Sequence, residues 1–127
     1  PWLSMAAKKK ALIVEDESSI AQAESLILGP EFEVHFAADG KEAVKKAREL
    51  KPDLVILDLM LPARGGYDVC FALRQDKKLK HTKIVMVTAR NTPLDEQKGM
   101  FIGADKYLTK PFEPDELRQA VRQVMAK

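Results

Sequence analysis

Soft metal ligands are scarce in this chain: one cysteine, Cys70, and two histidines, His35 and His81, among 127 residues. A single thiol excludes a disulfide framework, and the set is too small for a zinc site. No apolar run approaches the roughly 20 residues that a membrane-spanning helix needs. Lys8-Lys9-Lys10 is followed by only four apolar residues before Glu15, too few for the core of a secretory signal. A reducing cytoplasm is therefore the expected setting. Excess charge is nearly missing as well. Lys and Arg number 21 against 19 Asp and Glu, leaving +2, and direct nucleic-acid binding is not expected on that balance. Repeats, low-complexity tracts and an internal linker are absent too. What remains, 46% hydrophobic and 31% charged, is the ordinary composition of one globular domain.

The most informative stretch is Leu54-Val55-Ile56-Leu57-Asp58-Leu59-Met60-Leu61-Pro62. Four apolar residues run unbroken into one carboxylate, with Pro52 before them. That pattern reads as a strand buried on both faces, with Asp58 at its end. The rest of the chain alternates around it. Ala11-Leu12-Ile13-Val14 is a second continuous apolar run, closed by Glu15-Asp16-Glu17. Ser19 with Gln22 reads as a capping box opening a helix whose face is Ile20, Ala23 and Ile27, and Gly29-Pro30 stops it. Val34-His35-Phe36-Ala37 alternates as an edge strand does. Asp39 with Glu42 caps a second helix, its face Ala43, Val44, Ala47 and Leu50.

After Gly65-Gly66 a helix of about ten residues runs to Arg74. A basic loop (Lys77, Lys78, Lys80, His81, Lys83) leads to the strand Ile84-Val85-Met86-Val87, ending at Thr88. That loop reads foremost as a solvated connection, with a partner-docking or nucleic-acid patch as the alternative. Thr92-Pro93 starts a helix that Gly103 ends, and Lys106-Tyr107-Leu108 is a short strand before Thr109-Lys110-Pro111. From Pro114 the last helix carries Leu117, Ala120, Val121, Val124 and Met125 at helical spacing.

Five βα units in series predict an α/β fold: a single doubly wound, five-stranded parallel sheet with helices on both faces. The continuous apolar strands 1, 3 and 4 should be central and strands 2 and 5 the edges, which gives the order 2-1-3-4-5, a flavodoxin-like (βα)5 arrangement. Glu15, Asp16, Asp58, Thr88 and Lys110 then all fall at carboxyl ends of strands, the edge where such sheets bind ligands. Three converging carboxylates repel one another unless a cation sits among them. Oxygen donors alone suit Mg²⁺, with Mn²⁺ possible, rather than zinc. With Lys110 as a point charge and Thr88 as a hydroxyl donor, the set predicts metal-assisted phosphoryl chemistry with a carboxylate nucleophile.

Those residues resemble the receiver domains of two-component response regulators. The resemblance rests on Val14-Glu15-Asp16-Glu17, Leu57-Asp58-Leu59-Met60-Leu61-Pro62 with Gly66, Val87-Thr88-Ala89, and Lys106-Tyr107-Leu108-Thr109-Lys110-Pro111-Phe112, in that order. It spans about 9 to 125 and assigns 8–127 to the receiver domain. Pro1-Trp2-Leu3-Ser4 looks unrelated, Met5 reads as a native start, and 1–7 as a cloning remnant or a disordered N-terminus.

The resemblance implies a phosphorylation switch. Asp58 would accept a phosphoryl group from a histidine kinase or a histidine phosphotransfer protein. Glu15, Asp16, Asp58 and the Met60 backbone carbonyl would hold Mg²⁺. Lys110 would pair with the phosphoryl oxygens, and Lys110-Pro111 would be a cis peptide. Thr88 would move onto the phosphoryl group and Tyr107 would follow it inward, changing the surface of helix 4, strand 5 and helix 5. The signal would pass to a downstream target or an output domain outside this chain, without a membrane, and the only chemistry would be self-phosphorylation and slow self-dephosphorylation, not turnover. Many members have Asp where Glu15 stands. Met60 and Arg90 occupy the positions that tune aspartyl-phosphate hydrolysis, and Met cannot hold a water by hydrogen bonding, so slow dephosphorylation is expected.

Three rivals are weaker. An FMN binder needs a phosphate-cradling loop after strand 1, where Glu15-Asp16-Glu17 would repel phosphate. A phosphatase of the haloacid dehalogenase type wants an Asp two positions after the nucleophile, where Met60 stands. A degenerate receiver would lack one of the five site residues, and all five are present. Cys70, His35 and His81 are expected to have structural or surface roles.

Overall fold

The computed structural model describes residues 8–127, so the reading of 1–7 lies outside the described residues. In chain order the elements are β1 (Lys9–Val14), α1 (Ser18–Leu28), β2 (Phe32–Ala37), α2 (Gly40–Leu50), β3 (Leu54–Leu57), α3 (Gly66–Gln75), β4 (Lys83–Thr88), α4 (Pro93–Ile102), β5 (Lys106–Thr109) and α5 (Pro114–Met125). All strand pairs are parallel and the order is β2-β1-β3-β4-β5, as the sequence predicts.

The sorting of strands follows from burial. Every residue of β3 is buried, and so is every residue of β4 after Lys83. Apolar residues on both faces leave such strands nowhere to go but the middle of the sheet. Alternate residues feed opposite cores. Leu12, Val14, Val55, Leu57, Ile84 and Met86 pack with Ala43, Val44 and Ala47 of α2 and with Val69 and Leu73 of α3. Ala11, Ile13, Leu54, Ile56, Val85 and Val87 pack with Ala21 and Leu28 of α1 and with Leu117, Ala120, Val121 and Val124 of α5. Each fully buried Leu, Ile or Val contributes roughly 1.5–3 kcal/mol, so the two layers are the main source of stability.

Two expectations for α1 fail. Glu17, not Ser19, is its N-cap, and no side chain caps it. The Glu17 N–H is instead held by Glu15 Oε2 at 3.2 Å, which turns the chain into the helix before Ser19 can serve. The fully buried face is Ala21, Glu24 and Leu28; of the expected face, Ile27 packs half-buried on the core, Ile20 is half-buried and Ala23 is exposed. A reading that sends carboxylates outward cannot select a face built around Glu24. The other caps hold: Asp39 Oδ1 accepts from the Glu42 N–H at 2.8 Å, and Thr92 Oγ1 from the Asp95 N–H at 3.1 Å.

Arg74 of α3 ties the second half of the sheet together. It donates to the carbonyls of Gly103 (2.8 Å) and Thr82 (2.7 Å) and to Asp105 Oδ2 (2.8 Å), which also accepts the Ile84 N–H at 2.8 Å. With side chains about one-fifth exposed, the pair is only lightly screened. Arg74→Ala should therefore cost roughly 2–4 kcal/mol in urea unfolding, because it strands a half-buried carboxylate and two carbonyls. A loss under about 0.5 kcal/mol, the level of an exposed pair, would contradict this.

Candidate functional site

Register brings the site together. Val14 pairs with Leu57 and Leu57 with Met86, so β1, β3 and β4 stop along one edge. The ladder runs one step further: the Glu15 N–H donates to Ala37 O (3.0 Å) and the Asp58 N–H to Val14 O (3.1 Å). The backbones beneath both carboxylates are thus fixed. Glu15, Asp16 and Asp58 each offer one oxygen, all within 4.8 Å of one another, with Glu15 and Asp58 buried and Asp16 exposed. Gly66 lets the loop after β3 fold this tightly, since a Cβ there would stand 2.4 Å from the Asp58 carbonyl oxygen.

Lys110, carried in just after β5, completes the cluster. Its Nζ donates to Glu15 Oε1 at 2.6 Å and to Asp58 Oδ2 at 3.0 Å. Its own N–H is held by Thr88 O at 2.8 Å, and the Lys110–Pro111 peptide is cis, as the resemblance implied. Burial pushes the Glu15 carboxyl up; the hydrogen bond from Lys110 pulls it back, and the Asp58 charge adds to the rise, for a net upward shift. Burial opposes the Lys110 charge, but the hydrogen bonds to Glu15 and Asp58 outweigh it and hold the ammonium above its ordinary value. Three acids with one ammonium leave negative charge in surplus. An all-oxygen donor set of that charge fits a hard divalent cation.

The remaining predicted residues lie around this centre. The Met60 N–H donates to Asp58 Oδ1 at 3.0 Å, while its exposed side chain accepts Arg90 Nε on sulfur at 3.4 Å. Thr88 is fully buried, and its hydroxyl accepts the Arg90 N–H at 3.3 Å rather than bonding the acids. Tyr107 is 8% exposed, and its hydroxyl donates to Arg90 O at 2.8 Å. Burial pushes its phenol up to about 12. Both candidate switch residues therefore converge on the backbone of Arg90. Cys70 is buried, its thiol pushed up to about 11 by that burial, which makes it inert.

Glu24 is the residue that sequence reasoning missed. It is 1% exposed, and its Oε1 has no hydrogen-bond partner among the described residues. Burial first, then the charges of Glu15 and Asp58, push its carboxyl up to about 8, with Lys110 opposing. The only sequence signal was a carboxylate at position i+3 from Ala21 and i−4 from Leu28.

The family model for the response regulator receiver domain matches residues 11–122. The chain belongs to that family. MtrA of Mycobacterium tuberculosis, a DNA-binding response regulator, is 43% identical over 116 residues, which are 91% of this chain and 50% of MtrA. This receiver thus spans about half the length of the curated relatives it matches. A crystal structure of a response regulator from Chloroflexus aurantiacus superposes with a TM-score of 0.87 at 38% identity, covering 94% of this chain and 98% of that one. The receiver domain of the sensor histidine kinase PA1611 from Pseudomonas aeruginosa, with magnesium coordinated in its active-site cleft, gives 0.83 at 27%, covering 95% and 100%. The receiver is a phosphorylation-activated switch of two-component signalling, and receivers are generally not turnover enzymes. Members of the family work with histidine kinases and output domains. The acid cluster is compatible with a metal ion. Among the described residues no helix is long and apolar enough to cross a membrane.

Proposed function

We propose that Asp58 is the phosphoacceptor of this receiver and that Glu15, Asp16, Asp58 and the Met60 carbonyl hold Mg²⁺ beside it. The observation that carries the reading is Lys110 Nζ bridging Glu15 and Asp58 while Asp16 brings an oxygen within 4.8 Å of both acids. Mg²⁺, or Mn²⁺ in its place, supplies positive charge to the transferring phosphoryl oxygens. The chain's own groups do the rest. The Met60 N–H holds one Asp58 oxygen and Lys110 the other, so the carboxylate is oriented for attack on the phosphorus of a donor phosphohistidine. Imidazole leaves, and Lys110 is released to pair with the new phosphoryl oxygens.

A groove beside Lys110 suits the donor, whether a histidine kinase or a phosphotransfer protein. Ile20, Ala23 and Ile27 line it together with Pro111 and Phe112, Ile27 and Phe112 packing on the core from its rim. The added charge, about −1.5 to −2, draws the Thr88 hydroxyl off the Arg90 N–H, and Tyr107 follows. Its readout is the face of α4, β5 and α5, where Leu94 and Phe101 are already exposed. Output passes to a target protein or to a region outside this chain, such as the DNA-binding part implied by MtrA's name. The setting is the cytoplasm, and no substrate is turned over.

Slow loss of the phosphoryl group is part of the reading, since the Met60 side chain is engaged with Arg90 and cannot position a water. Met60→Asn should shorten the lifetime of the phosphorylated form several-fold; an unchanged lifetime would reject the role of this position. The function itself is tested with acetyl phosphate and Mg²⁺, followed by intact mass. One added phosphoryl group, absent from Asp58→Asn, is the expected result, whereas multiple turnover of phosphate esters would point to a phosphatase.

A further inference from the structure

The end of the sheet opposite the acid cluster gathers lysines that are far apart in sequence. Lys9 opens β1, Lys51 precedes β3, Lys77, Lys78 and Lys80 lie in the turn before β4, and Lys83 opens β4. Hydrogen bonds lace these segments together. Asp53 Oδ2 accepts the Lys10 N–H at 2.9 Å, Asp53 O accepts the Lys83 N–H at 2.9 Å, and His81 Nε2 meets Lys51 O at 3.3 Å. Among the described residues none of these six ammonium groups has a carboxylate within 4.0 Å. Neighbouring acids are engaged otherwise: Asp53 with the Lys10 N–H, Asp76 with Arg48, Asp105 with Arg74, and Glu33 with His35. Six ammonium groups without a carboxylate partner make this end locally basic, although the chain carries only +2 overall.

We propose that this basic end binds the phosphate backbone of double-stranded nucleic acid, without reading sequence. The chemistry of the patch selects that partner. Its free cations are all lysines, point charges on flexible stems that bind phosphate without a bidentate geometry, and they are spread over several segments at one end of the sheet, which suits a repeating phosphate array. The lysine-bearing segments contain no Phe, Tyr or Trp on which unpaired bases would stack, which argues against a single strand. Backbone contacts of this kind position a protein on a duplex but carry no sequence information. The surface lies at the other end of the sheet from Asp58, so phosphoryl uptake and duplex binding do not compete for it. The sequence showed one basic loop; the fold adds Lys9 and Lys51 to it.

The test is fluorescence anisotropy of a labelled 20-base-pair duplex titrated with the whole chain. Weak binding is expected, falling by about two orders of magnitude between about 50 and 200 mM salt, as roughly four phosphate contacts require. Lys77→Glu with Lys80→Glu should lose at least tenfold. The charge-matched pair Lys41→Glu with Lys45→Glu, on α2, should stay within twofold of wild type. No binding at the lower salt, equal loss in both double variants, or tighter capture by polyglutamate or by anionic vesicles than by the duplex would overturn the proposal.

Discussion

Glu24→Leu is expected to make this receiver more stable at neutral pH, by roughly 3 kcal/mol, because it takes a carboxyl group out of the core. The Glu24 carboxyl is 1% exposed and pushed from 4.5 to about 8 by burial and then by the charges of Glu15 and Asp58. Because the folded-state value lies above the unfolded one, the folded chain binds the extra proton between them. Stability is therefore greatest below the unfolded value and is lost as pH rises through the folded one, the reverse of the usual carboxylate. From pH 5 to pH 9 the wild type should lose roughly 4 kcal/mol on this account. Glu15, also shifted upward, adds a loss of the same sign. Urea unfolding at the two pH values checks it. Leucine should flatten the slope and fill the site, and glutamine should flatten it without the gain in burial. Equal pH slopes in wild type and Glu24→Leu would show that the carboxyl reaches water.

The second large effect belongs to Lys110. Lys110→Met removes the ammonium that Glu15 and Asp58 share at 2.6 and 3.0 Å, and both acids are almost wholly enclosed. Breaking a buried pair from one side costs roughly 3–5 kcal/mol, so metal-free stability at neutral pH should drop by about that much. Mg²⁺ should then stabilise the variant more than the wild type, because the cation replaces the missing charge between the acids. Phosphoryl uptake from acetyl phosphate should still fall by about two orders of magnitude, since no metal reproduces a donor aimed at the phosphoryl oxygens. Thermal unfolding with and without Mg²⁺, alongside the rate of mass increase, separates the two effects. A variant as stable as wild type without metal would mean that Lys110 does not compensate these acids.

The sheet order could be read from strand composition because burial on both faces forces unbroken apolar runs such as Leu54-Val55-Ile56-Leu57. The convergence of Glu15, Asp16, Asp58 and Lys110 could be read for a related reason: parallel strands end on one edge, and each of these residues follows a strand directly. What could not be read depends on which face a helix turns inward and on partners distant in sequence. Glu24 went unread because helical periodicity singles out apolar residues and sends carboxylates outward. Ile20, Ala23 and Ile27 read as the packing face of this helix, whereas they line a groove beside Lys110 and only Ile27 also packs, partly buried, on the core. Arg74 reaches Asp105, 31 positions away, and no local pattern encodes that. Thr88 was correctly placed at its strand end, but the attachment of its hydroxyl to the Arg90 backbone is a turn detail that spacing does not carry.

A crystal structure of the chain with Mg²⁺ and beryllofluoride, a phosphoryl mimic, tests the account most directly. Beryllium should sit on one Asp58 oxygen, the metal on the other Asp58 oxygen, Glu15, Asp16 and the Met60 carbonyl, and fluorines on Lys110 Nζ and a reoriented Thr88 hydroxyl. Beryllofluoride bound at another carboxylate, or absent at saturating Mg²⁺, would contradict it.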